Sequence, residues 1–87
     1  MWQTTFSQRL WGVLMGKSIG MIETSGMVSA TKAADAALKS AGVRLVGYDN
    51  VGDGRITVII EGNISAVKTA IQTAKLMVPG VTGSVKQ

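Results

Sequence analysis

The apolar residues of this chain change their period in a fixed order, and that order constrains the fold more than any single residue. Ile19, Met21 and Ile22, around Gly20, predict a buried strand from Ser18 to Glu23 that ends in the turn Thr24-Ser25-Gly26. From Met27 to Ala41 the period turns helical, at Met27, Ala30, Ala34, Ala37, Leu38 and Ala41. Alanine recurs through this stretch and favours helix, and Gly42 stands where a left-handed residue closes one. Val43 to Tyr48 then alternates, with Val43, Leu45 and Gly47 against Arg44, Val46 and Tyr48. The turn-forming run Asp49 to Gly54 separates it from Arg55 to Glu61, where Ile56, Val58 and Ile60 alternate with Arg55, Thr57, Ile59 and Glu61. Asn63 is an N-cap for a second helix with Ile64, Val67, Ala70, Ile71, Ala74 and Val78 on one face. Pro79-Gly80 stops that helix, and Val81 to Val85 is a short last strand. The predicted order is β-α-β-β-α-β. This is an α/β (α+β) chain of ferredoxin-like type, an antiparallel sheet with two helices on one face.

Residues 1–16 precede this pattern as an N-terminal extension. Trp2, Phe6, Leu10, Val13 and Leu14 fall on one helical stripe, with Gln3, Thr5, Ser7, Gln8 and Arg9 off it. The segment is predicted to be an amphipathic helix folded onto an apolar surface. Its single Arg is thin support for lipid binding, and no apolar run approaches the roughly 20 residues of a membrane span.

Eighty-seven residues accommodate one domain, and a core that small is marginal alone. Small chains are commonly reinforced by disulfides, a metal or other copies. With no Cys and no His, disulfides are excluded, as are the usual zinc, haem and iron–sulfur ligand sets and triad or Cys-His catalysis. Charged residues are only 16% of the chain, against an average of about 25%. Self-association is therefore expected. The net charge of +4 comes from nine Lys and Arg scattered from Arg9 to Lys86, with no two adjacent, so no nucleic-acid footprint is expected. The strands offer only Tyr48 for stacking on bases. The five carboxylates, Glu23, Asp35, Asp49, Asp53 and Glu61, are not grouped for acid–base work; Asp49 and Asp53 suit a turn for local reasons. No catalytic residue, metal site or cofactor is expected. Nothing argues for export, and a cytoplasmic location is the expectation.

Several stretches, in order, carry a family resemblance. Ser18 to Gly26 reads SIGMIETSG; KAADAALKSAGVRLVGY follows, then VGDGRITVIIEGNISAVKTAI. Together they resemble the shell-protein domain of bacterial microcompartments (the BMC domain), here residues 17–87. The resemblance implies a non-enzymatic structural protein. It implies a homo-hexamer that joins other shell proteins in the wall of a polyhedral compartment and passes small metabolites through a pore on the six-fold axis. It assigns Val51, Gly52, Asp53 and Gly54 to the pore lining, with Asp53 where the family commonly has a small polar residue. A ring of Asp53 carboxylates would favour cations or neutral solutes over anions. It also assigns Ser25 to the hexamer edge, where the family usually has Lys, and the family's longer Arg-containing tail is missing, so poor flat tiling is expected. The extension then has three roles open to it: covering the altered edge, plugging the pore mouth, or binding encapsulated enzymes through residues 2–14. A small regulatory or ligand-binding domain of ferredoxin-like fold is the alternative; a hexamer rather than a dimer in native mass spectrometry separates the two.

Overall fold

The computed structural model describes residues 17–40 and 42–86. Strand β1 (Lys17–Ser25) leads to helix α1 (Met27–Lys39); the hairpin β2 (Val43–Gly52) and β3 (Arg55–Asn63) leads to helix α2 (Ile64–Met77) and strand β4 (Thr82–Lys86). The sheet order is β2-β3-β1-β4, all neighbours antiparallel, so β3 is inserted between the two strands that α1 connects. This is the split βαβ arrangement the sequence predicts. The amphipathic stretch up to Leu14, and Ala41 of the expected α1 stripe, lie outside the described residues.

Directly opposed residues share a face of a sheet. Ile22 lies opposite Val58, and Gly20 opposite Ile60. These side chains form the core with Ala30, Ala33, Ala34 and Ala37 of α1 and Val67, Ala70, Ile71 and Ala74 of α2. Small residues set the spacing. A Cβ on Gly20 would meet Val67 Cγ1 at 2.6 Å, and one on Gly83 would meet Ile71 Cγ2 at 2.5 Å, so α2 rests almost on the backbone of β1 and β4. Asn63 caps α2 as expected, its Oδ1 accepting from the Ala66 amide at 2.8 Å.

Three expectations are corrected. Thr24 and Ser25 are not a turn but the end of β1, paired with Ile56 and Arg55; buried Thr24 donates its hydroxyl to the Ile56 carbonyl at 2.9 Å. Helix α1 is rotated from the predicted stripe: Ala33 and Ala36 are buried, whereas Met27 and Leu38 are exposed. With Ala on several sides of the helix, apolar spacing alone does not select the buried side. Finally, β2 runs through Asp49 to Gly52, and its alternation breaks. The register slips between Leu45 and Gly47 and again between Asn50 and Gly52. After the first bulge Tyr48 lies opposite Val58 and Asn50 opposite Ile56, on the helix-facing side rather than the side of Arg44.

The other face of the sheet carries no described helix. Ile19, Met21 and Ile59 are half-buried at its middle and take no part in the core. Arg44 bonds Glu61 toward one end, and Arg55 approaches Glu23 at 3.4 Å toward the other.

Candidate functional site

The hairpin that joins β2 to β3 is the site singled out by the sequence. Gly52 pairs with Arg55, so the connection proper is two residues, Asp53-Gly54. Their φ angles are 55° and 75°, positive at both central positions as a type I′ turn requires. Gly52 precedes them at 95°, making three left-handed residues in succession. Asp53 is the only described non-glycine residue with positive φ, a conformation Asp tolerates better than most. The Asn50 carboxamide holds the approach to the turn, its Oδ1 accepting from the Gly52 amide at 3.0 Å. Val51, Gly52, Asp53 and Gly54 are all exposed, and nothing lies within 4 Å of a Cβ built on either glycine. The tip therefore presents bare backbone, one aliphatic side chain and one carboxylate.

Pairing places Ser25 beside this tip. Ser25 faces Arg55 across the sheet, and Arg55 faces Gly52, so Ser25 and Gly52 are two strand spacings apart, roughly 10 Å. Of the five carboxylates, Glu23 and Asp49 stand on the sheet at this end with Arg55, and Asp53 stands in the turn beyond them. Thr82 donates to Glu23 Oε1 at 3.4 Å from β4.

Apolar surface gathers at the same end. Helix α1 begins there after Gly26, and α2 ends there before β4 enters opposite Glu23. Val28 is 71% exposed, Met77 67% and Leu76 84%, and Met27 and Val51 are about half exposed. These residues are the signal sequence reading missed. Met27 falls on the stripe predicted to be buried, and Leu76 and Met77 fall off the α2 stripe. Solitary exposed apolar residues are ordinary, whereas a contiguous patch of them would mark a contact surface.

The far end differs. Helix α1 closes at Lys39, which pairs with Asp35 at 3.2 Å, and Gly42 abuts Gly62 so closely that a Cβ on Gly62 would meet the Gly42 carbonyl at 2.5 Å. Between the helices lies an open concavity of about 250 Å³ whose lining includes Ala36, Val78, Lys32, Asp35 and Lys39 and also Met77, so it reaches from the Lys39 side to the last turn of α2. Its Asp35 and Lys39 are already paired with one another. Among the described residues no three His, Cys, Asp or Glu side chains group as metal ligands, and no helix is long and apolar enough to cross a membrane.

Residues 18–86 match the BMC domain family. Over 54 residues the chain is 52% identical to the bacterial microcompartment shell protein PduA of Salmonella typhimurium, covering 62% of this chain and 57% of that protein. Over 69 residues it is 44% identical to the carboxysome shell protein CcmK1 of Thermosynechococcus vestitus, covering 79% of this chain and 61% of that one. The chain thus spans less than two thirds of the length of these curated relatives. A solved microcompartment protein from Desulfitobacterium hafniense superposes with a TM-score of 0.74 at 32% identity, over 80% of this chain and 40% of its own.

Proposed function

Because this chain belongs to the BMC domain family, we propose that it is a structural shell protein of a bacterial microcompartment, with residues 17–87 as its shell domain and 1–16 as an extension. Identical copies assemble in a ring of six and contribute it to the shell beside other shell proteins. The observation that carries this reading is the coincidence, at one end of the molecule, of a bare left-handed hairpin tip and the exposed apolar side chains Met27, Val28, Leu76 and Met77. A ring brings several backbones close to one axis, which suits Gly52 and Gly54, and it buries apolar flanks that one copy leaves wet.

On this reading Val51, Gly52, Asp53 and Gly54 line the axial pore. Carboxylates arranged around a narrow axis raise the barrier to anions and lower it for cations. Ser25, about 10 Å from Gly52 across the sheet, is the position the family resemblance assigns to the hexamer edge.

Native mass spectrometry tests the ring directly: a hexamer is expected, and a dimer would favour the regulatory-domain alternative. For the pore, Asp53→Asn keeps the left-handed turn and removes the charge. Shells reconstituted with the variant should admit a small anionic dye several-fold faster than shells with the parent chain, with neutral dye entry unchanged. Equal anion entry would remove Asp53 from the pore lining.

A further inference from the structure

The hairpin tip holds the only aspartate or asparagine of the chain that is followed by glycine, and it holds that pair where it can react with itself. We propose that Asp53-Gly54 is a modification site of the folded protein, at which the side-chain carboxyl closes on the Gly54 amide and reopens as isoaspartate.

The reaction needs no partner but water. The Gly54 nitrogen attacks Cγ of the Asp53 carboxyl in its acid form and gives up its proton. A C–N bond forms, a C–O bond breaks and one water leaves, which closes a succinimide ring. Water then adds to either ring carbonyl. Opening at Cγ restores aspartate. Opening at the main-chain carbonyl leaves isoaspartate, with Cβ and Cγ in the backbone and the former main-chain carbonyl as the free acid. Nothing is oxidised or reduced, and the final product has the mass of the parent.

The geometry of the tip favours closure. The Gly54 nitrogen is a central amide of a two-residue hairpin, outside the ladder that Gly52 and Arg55 end. Asp53 and Gly54 are both exposed, and nothing lies within 4 Å of a Cβ built on Gly54. Ring closure brings that nitrogen into line with Cβ, at a ψ of about −120° for Asp53, the value at the first central position of a type II′ turn. Types I′ and II′ share a positive φ at this position, and Asp53 already has 55°. Only the peptide plane between Asp53 and Gly54 has to flip. That carries Gly54 from a φ of 75° to a negative value, and glycine adopts either sign without steric cost.

The other four aspartates and asparagines lack these conditions. Asn50 and Asn63 hold the Gly52 and Ala66 amides through their carboxamide oxygens, and β-branched Val51 and Ile64 follow them. Asp35 lies within α1 and pairs with Lys39, and Asp49 lies in the ladder opposite Thr57. At the tip the product adds one backbone atom to a turn of two residues and draws the carboxylate in toward the main chain.

The full chain, kept warm in neutral buffer for weeks, should accumulate isoaspartate at residue 53, several-fold above Asp35 and Asp49 by electron-transfer fragmentation. Hydroxylamine present throughout should trap the ring as a hydroxamate at the same residue. Gly54→Val crowds the attacking nitrogen and should lower the yield several-fold. Asp53→Asn loses ammonia in place of water and should react several-fold faster. Incubation in urea gives the unfolded rate, and the folded chain should come within several-fold of it. Isoaspartate that forms only in urea would overturn the proposal. So would hydroxamate absent from residue 53, or a rate that neither variant changes. Each readout is of the covalent chain alone, so failure here leaves the ring untouched, and a missing ring leaves this result standing.

Discussion

The two ends of this small domain are built from different materials. At the hairpin end the chain exposes Val28, Val51, Leu76 and Met77 around a tip of consecutive left-handed residues. Toward the far end the ion pairs Lys39–Asp35 and Arg44–Glu61 gather, and the exposed apolar side chains there, Leu38 and Val46, are less exposed than Val28, Leu76 and Met77. One helix-and-sheet core joins them, and its residues are nearly all Ala, Val and Ile. The difference teaches that apolar surface is not uniformly distributed even in a chain poor in charge. Where it is left wet, another surface is expected to cover it; where charges satisfy one another, no covering surface is called for.

The sharpest way to break this comparison is to charge the apolar end. If the proposed ring forms, Val28→Lys with Met77→Lys should convert it to monomers in native mass spectrometry without unfolding, because both side chains are largely exposed in one copy. Arg44→Glu toward the other end should leave the proposed ring intact, and dissociation by both changes alike would erase the distinction. The core beneath both ends should respond more uniformly. Ile60→Ala, at a fully buried position, should cost about 2–5 kcal/mol in urea unfolding of the full chain. At the tip, Gly54→Val places a β-branched residue at φ 75° and should cost about 1–2 kcal/mol, with Gly54→Asn recovering most of it. Removing the α2 cap with Asn63→Ala should cost about 1 kcal/mol. The smallest effect belongs to the far-end charges: Arg44→Ala should cost less than about 1 kcal/mol, and that loss should shrink further in high salt.

Much of this was legible beforehand. The periods of Ile56, Val58 and Ile60 and of Val67, Ala70, Ile71 and Ala74 named the inward faces of β3 and α2, because large aliphatic residues on one side leave a single way to bury them. Asn63 announced its own helix. Helix α1 was harder, since alanine contributes little contrast between its sides, and its rotation was decided by what fits against the sheet. The bulges of β2 were hidden for another reason. A glycine within a strand, Gly47 or Gly52, hints at irregularity but does not say which residue is extra. The hairpin tip was correctly located, and its length was not: Asp49 to Gly52 continue the ladder, and only Asp53-Gly54 turn.

By itself, then, the order of residues determined the elements, their sequence, the inward faces of the sheet and of α2, and the family. Those depend on local propensity and on periodic contrast between apolar and polar positions, which a linear chain carries. The tertiary structure alone decided that Ser25 lies beside the hairpin, that Tyr48 and Asn50 turn toward the helix side, and that Met27, Val28, Leu76 and Met77 are left exposed. The first two join residues far apart in the chain, and it is the register of paired strands, not the spacing along any one of them, that brings them together.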